Sequence, residues 1–128
     1  MGFRRESKFD AVPTPYGCRK YRSKAEARYA ATLDTLLAGG AITSWKYEPT
    51  YELRVFGELV CKYKPDFEIE HSDGSKEIVE VKGFATPEWR LKWKLFVILM
   101  AREHPATKLT VHGTSKSFWH RRTRKEIV

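Results

Sequence analysis

These 128 residues have no cysteine framework, no zinc-ligand spacing and no apolar run of membrane length. The two cysteines, Cys18 and Cys61, lie far apart and belong to no metal motif, so both read as free thiols of a reducing cytosol. The four histidines are scattered without the spacing of a zinc site. Nothing approaches the roughly 20 consecutive apolar residues that cross a bilayer. The opening Met1-Gly2-Phe3-Arg4-Arg5-Glu6 lacks the apolar stretch of a signal peptide. No repeat or low-complexity tract is present. These absences predict one cytoplasmic domain with no membrane partner, large enough to build a core without staples.

Acidic residues are also in the minority, 16 against 24 Lys and Arg, for a net charge of +8. Such an excess on a small domain favours a polyanion, bound with salt-sensitive affinity as counterions are released. Arg4, Arg5 and Lys8 open the chain, and Arg19, Lys20, Arg22 and Lys24 lead into the first helix. Arg90, Lys92 and Lys94 fall on the second helix, and His120, Arg121, Arg122, Arg124 and Lys125 close the chain. Arg22, Lys24, Arg90, Lys92, Lys94, Arg121, Arg122 and Arg124 are the candidate DNA contacts.

Local patterns predict helix, strands, helix, strand. A basic arm runs to about Arg22, where Pro13-Thr14-Pro15 argues against regular structure. Ser23-Lys24-Ala25-Glu26 has capping-box form and opens a helix that reaches about Leu37 and stops at Gly39-Gly40. Its expected apolar stripe is Ala25, Tyr29, Leu33, Leu36 and Leu37, with Glu26 on the edge. Strands follow at Ile42 to Glu48, Thr50 to Phe56 and Leu59 to Tyr63. Thr86-Pro87-Glu88 caps a second helix ending near Glu103, with Trp89, Trp93, Phe96, Val97 and Met100 facing the core. A last strand, Lys108 to His112, should lie parallel to the Glu80 strand across that helix. The folded domain would then span 23–114, with a basic tail from 115 carrying Phe118 and Trp119.

Tyr63-Lys64-Pro65-Asp66-Phe67-Glu68-Ile69-Glu70 and Lys76-Glu77-Ile78-Val79-Glu80-Val81-Lys82-Gly83 both read as strands, joined by the turn Ser72-Asp73-Gly74-Ser75. An antiparallel hairpin brings Asp66 at one strand's start near Glu80 and Lys82 at the other's end. Alternation makes Glu80 and Lys82 project together, opposite Val79 and Val81. Two carboxylates and an ammonium at a sheet edge suit a hard divalent cation and an attacking water. In that chemistry Asp66 and Glu80 bind Mg²⁺, the Val81 carbonyl can face it, and Lys82 orients the water and offsets transition-state charge. Glu26 is a third carboxylate leaning toward the same core. The plainer reading makes Glu80 and Lys82 a surface ion pair of small energetic value, and Glu26 a helix cap.

Pro-Asp, a gap and Glu-x-Lys-Gly resemble the signature of the PD-(D/E)xK nuclease superfamily. Tyr21 to Glu26, Gly40-Ala41-Ile42, Trp45 to Glu48, Tyr63 to Phe67 and Val79 to Gly83 are similar to phage endonuclease I-type Holliday junction resolvases. The similarity extends through Arg102-Glu103-His104-Pro105 and Thr110-Val111-His112. A family of small phage proteins with the same motif order is also similar. The resemblance implies a restriction-endonuclease-like α/β fold, a mixed central sheet flanked by helices. It implies a Mg²⁺-dependent endonuclease, with Mn²⁺ able to substitute, whose active site is Glu26, Asp66, Glu80 and Lys82. It further implies branched DNA as substrate, a homodimer with strand exchange possible within Thr50 to Tyr63, and a phage or prophage origin. A further family acid aligns with Lys46 here, leaving Glu48 as a loose substitute. The alternatives are a nicking or restriction-type enzyme of the same fold, an inactive DNA-binding module, or a basic packaging protein indifferent to Mg²⁺.

Overall fold

A computed structural model describes residues 14–17 and 19–113. Thr14–Tyr16 (β1) and Arg19–Tyr21 (β2) form a short antiparallel hairpin ahead of helix α1, Lys24–Ala38. Then come β3 (Ile42–Tyr47), β4 (Tyr51–Val55), β5 (Glu58–Tyr63), β6 (Phe67–His71) and β7 (Lys76–Lys82). Helix α2 (Pro87–Glu103) and β8 (Lys108–Gly113) complete the order. The fold is α/β. Its central sheet runs β3-β6-β7-β8, with β6 antiparallel to both neighbours and β8 parallel to β7. Among the described residues, strands β4 and β5 pair only with each other.

The helix ends follow the sequence signals. The Ser23 hydroxyl accepts from the Glu26 backbone N–H at 3.1 Å, and Thr86 does the same for Trp89 at 3.1 Å. Gly40, at φ +81°, supplies the left-handed turn that ends α1, closed by Ala41 N–H donating to the Leu36 carbonyl at 3.0 Å. Because β7 and β8 are parallel, their connection must cross the sheet, and α2 is that crossover.

Each face of the sheet carries one core. Tyr21, Ala27, Ala30, Leu33, Ile42, Phe67, Ile69, Val79 and Val81 pack beneath α1. Leu53, Tyr63, Ile78, Trp89, Trp93, Phe96, Met100 and Val111 form the other core, under α2 and the β4–β5 hairpin. Strand β7 feeds both, and only a strand covered on two faces buries Ile78, Val79, Glu80 and Val81 in succession. Among the described residues no helix is long and apolar enough to cross a membrane.

Two expectations are corrected. The stretch around Pro15 is not irregular, because among the described residues the only partner of β1 is β2, and a two-stranded ribbon tolerates Pro15 opposite Lys20. Gly17, at φ +62°, makes the turn, and Tyr21 at the hairpin's end is buried in the α1 core. In α1 the buried face is Glu26, Ala27, Ala30 and Leu33, while Leu36 and Leu37 are 39% and 40% exposed. The helix is thus rotated so that Glu26 lies inside rather than on the edge, and the last turn overhangs the sheet. Cys61 is a half-buried free thiol, whereas Cys18, Phe118 and Trp119 lie outside the described residues. Leu33→Ala should therefore cost about 2–5 kcal/mol and Leu37→Ala less than about 1 kcal/mol in urea unfolding. Equal costs would refute this helix orientation.

Candidate active site

The hairpin register carries the motif residues to one place. Phe67 pairs with Val79 and Glu70 with Lys76, so Asp66 precedes the first paired position and Glu80 follows its partner. Pro65 has no N–H to give the ladder, which ends β6 at Phe67 and leaves Asp66 in a bend. There Asp66 Oδ2 accepts from the Val81 backbone N–H at 2.7 Å, and the Asp66 carbonyl accepts from Glu48 N–H at 2.8 Å. Alternation acts as expected: Val79 and Val81 join the α1 core, while Ile78, two residues before Glu80, joins the α2 core. A strand residue presents its N–H and C=O to the same edge, so the Val81 carbonyl also points toward β6 and Asp66.

Three acids are buried here: Asp66 is 2% exposed, Glu80 1% and Glu26 7%. Each is held by a different element. Glu80 Oε2 accepts from the Tyr63 hydroxyl, which itself accepts from Trp89 Nε1 at 3.2 Å. Glu26 Oε1 accepts from the Tyr47 hydroxyl at 2.5 Å, and Glu26 Oε2 accepts from Ser23 Oγ at 3.3 Å. Lys82 Nζ lies 3.9 Å from Glu80 Oε1 and 5.0 Å from the centroid of the Trp89 ring. The four residues expected to form the site are therefore together.

Sequence reasoning did not foresee how Arg22 sits. Its Nη2 lies 2.8 Å from Glu48 Oε2 and 3.1 Å from Asp66 Oδ1, and its Nε is 3.9 Å from Glu26 Oε1. Arg22 had been assigned to DNA, and Glu48 only loosely to the site; the structure joins both to the acid cluster. Glu48 adopts φ +52°, a left-handed conformation rare outside glycine, which turns the chain at the end of β3 beside Asp66. Lys46, the aligned position, is exposed on β3 instead.

Crowding the acids shapes their protonation. Burial, then the charges of Glu80 and Glu26, pushes the Asp66 carboxyl well above the ordinary range, against the opposing pull of Val81 N–H and Lys82. Burial also raises Glu80, although Lys82, Tyr63, Arg22 and a hydrogen bond with Asp66 work the other way. For Arg22 burial disfavours the charge, but Glu26, Glu48 and Asp66 outweigh it and keep the guanidinium protonated. Burial and then Glu80 push the Tyr63 phenol upward, so it remains a donor to Glu80 at any working pH.

Among the described residues no three His, Cys, Asp or Glu side chains make a ready-made metal cage. That donor set does not suit a closed zinc or calcium site. It does suit Mg²⁺, which takes one or two carboxylates, keeps several waters and shares the substrate's phosphate oxygens. Asp66 and Glu80, two hard carboxylates whose mutual repulsion is incompletely offset, fit that demand.

Beside Glu80 opens a cleft of about 180 Å³. Five cations line it, Arg22, Lys62, Lys64, Lys82 and Lys92, against Glu80 and Glu88. Of the expected DNA contacts, Arg22 and Lys92 reach this cleft. Lys24, Arg90 and Lys94 do not line it, because they lie on other faces of α1 and α2. Arg121, Arg122 and Arg124 lie outside the described residues, as do Arg4, Arg5, Lys8, His120 and Lys125. Lys62 and Lys64 were missed. Their signal was legible as a Lys-x-Lys pair on one face of the strand running into Pro65-Asp66.

The chain belongs to the family described as "protein of unknown function" (DUF1064), which it matches over residues 6–117. No curated protein and no solved structure matches it.

Glu80→Gln tests the crowding. A Gln amide can still accept from Tyr63 and can donate to Asp66, while one buried charge disappears. Folding raises both carboxyl values, so their contribution to stability is complete below about pH 4. It is lost as the pH rises through the raised folded values. In EDTA, Glu80→Gln should therefore raise the melting temperature by about 3–5 °C at pH 8, as a gain near 1 kcal/mol does in a domain of this size. At pH 4 the gain should shrink toward zero. A melting temperature lowered at both pH values would show that Glu80 is a net stabiliser.

Proposed function

We propose that this member of the DUF1064 family is a Mg²⁺-dependent DNA endonuclease of the PD-(D/E)xK type. One observation carries the reading: three buried carboxylates and Lys82 converge at a sheet end beside a cleft ringed by five cations. A purely structural hairpin has no use for buried, mutually repelling acids, which cost stability unless something binds them. Pro65-Asp66 with Glu80-x-Lys82-Gly83 adds the family resemblance.

Asp66 and Glu80 would hold the cation, with Glu26 completing its surroundings and the Val81 carbonyl turned to the same edge. A divalent cation bound there lowers the pKa of water and offsets phosphate charge. The chain's own residues supply the rest. Tyr63, itself fixed by Trp89, holds one Glu80 oxygen and leaves the other toward Lys82. Lys82, kept between the Trp89 ring and Glu80, orients the attacking water and meets charge developing on phosphorus oxygens. Lys62, Lys64 and Lys92 take neighbouring phosphates of the strand. Branched DNA is the substrate to which the resemblance points, and two coordinated cuts on it call for a symmetric dimer.

Incubation with a four-way junction and with linear duplex should give Mg²⁺-dependent cuts in the junction, restored by Mn²⁺ and abolished by EDTA. Lys82→Ala should lower the rate by about 10²–10³-fold, the usual loss on removing one such electrostatic contact. Asp66→Asn should leave no detectable cutting. Cleavage that persists in EDTA, or in Asp66→Asn, rules the mechanism out. Equal cutting of linear duplex instead selects the restriction-type alternative.

A further inference from the structure

We propose that Arg22 is an exchangeable counter-ion: it holds the carboxylate oxygens that a divalent cation needs, and it is released toward the cationic cleft when the cation binds. This rests on the metal-site reading above and goes beyond it by assigning a role to a residue outside the acid–lysine set.

Asp66 has two carboxylate oxygens. Oδ2 is committed inward to the Val81 backbone N–H at 2.7 Å. Only Oδ1 faces outward, and Arg22 Nη2 holds it at 3.1 Å. Any ion that takes the outward oxygen must therefore displace, or share with, the guanidinium. The same nitrogen lies 2.8 Å from Glu48 Oε2, so one N–H₂ group ties β6 to the chain following β3. The Nε, 3.9 Å from Glu26 Oε1, extends the attraction to α1. One guanidinium thus draws on acids from three elements, the charge arrangement a divalent cation would also seek.

Burial shows which partner can leave. The Glu26 and Asp66 side chains are 9% and 3% exposed, whereas that of Arg22 is 63% exposed. The acids are fixed in the cores, and the arginine reaches in from the surface at the junction of β2 and α1. Being the exposed partner, it can leave more readily than the buried acids can. It also has somewhere to go, because Arg22 already lines the cleft shared with Lys62, Lys64, Lys82 and Lys92. A guanidinium released there meets a phosphate bidentately, which no lysine can do. Entry of the metal and grip on the phosphate are thereby coupled through one side chain.

The coupling predicts that Arg22 lowers apparent metal affinity, since only the fraction of molecules with the arginine displaced can bind. Mn²⁺ titrations by calorimetry, without DNA, should show Arg22→Gln binding about tenfold or more tighter than the unaltered protein. Lys64→Gln removes a cleft charge without touching the acids and should change affinity less than about threefold. Arg22→Lys, which keeps the charge but loses the two-armed span, should fall between. A second measurement needs no variant: phenylglyoxal labelling followed by peptide mass mapping should modify Arg22 faster with Mn²⁺ than without. Affinity equal or weaker in Arg22→Gln, or labelling of Arg22 slowed by Mn²⁺, would overturn the proposal and make Arg22 a permanent clamp on the acids. Failure of both the unaltered protein and Arg22→Gln to bind Mn²⁺ would instead bring down the metal-site reading, and this inference with it.

Discussion

The backbone hydrogen bond from Val81 to Asp66 is the contact on which the site's geometry depends. It fastens the bend after Pro65 to the C-terminal end of β7, and so sets the distance between the acid before β6 and the acid on β7. Without that N–H, Asp66 would keep only the guanidinium reaching in from the surface at Arg22, and the repulsion from Glu80 would favour turning it out to solvent. With it, the chain tolerates two adjacent acids at 2% and 1% exposure. A charge-assisted bond of this kind contributes on the order of 2 kcal/mol, comparable with the cost of the crowding it opposes.

The second acid is held from the opposite side, by the α2 core. Trp89 and Trp93 stack at 5.8 Å, Tyr63 packs on Trp93 and Phe96, and the Tyr63 hydroxyl leaves this aromatic wall to reach Glu80. Trp89 closes the arrangement twice, donating to Tyr63 through its ring N–H and presenting its face to Lys82. Core packing and the orientation of polar groups are therefore one problem in this domain. The far end of the sheet is held differently: Glu77 links His71 at 2.8 Å and Thr110 at 2.6 Å, tying β6, β7 and β8 together away from the acids.

Much of this layout was legible because it depends on local chemistry. Ser23 and Thr86 cap helices wherever they stand before the right residues, and a Ser-Asp-Gly-Ser turn closes a hairpin whatever surrounds it. The convergence of Asp66, Glu80 and Lys82 follows from period-two alternation and a short connection, so it too was readable. The rotation of α1 was not. Leu36 and Leu37 look like core by composition, but the sheet is too short to cover the last turn, and two alanines let the helix approach closely on the other side. Glu26 is inside for that tertiary reason. Arg22 and Glu48 were beyond reach for a similar reason: their roles come from separate chain segments meeting, which no local pattern encodes. The β1–β2 hairpin was masked by Pro15, a residue excluded from sheet interiors but not from an isolated ribbon.

The residues that defy the folding rules are grouped, apart from Phe56 at φ +53° in the exposed β4–β5 turn. Glu48 takes a left-handed backbone conformation, and Asp66 and Glu80 are buried ionisable groups. Each departure costs free energy if taken alone. Were these independent accidents of sequence, they would be scattered over both faces and both ends of the sheet. They lie instead within hydrogen-bonding or ion-pairing reach of one another or of Arg22, while at the other end of the sheet Glu77 and Glu70 have ordinary partners. Local rules broken together at a single point mean that the sequence answers to something other than stability there. The acids make that demand negative and the surrounding cleft makes the approach to it positive. On the nuclease reading proposed here, the ligand that satisfies both brings a cation to the carboxylates and anions to the lysines, as a metal-bound phosphodiester does.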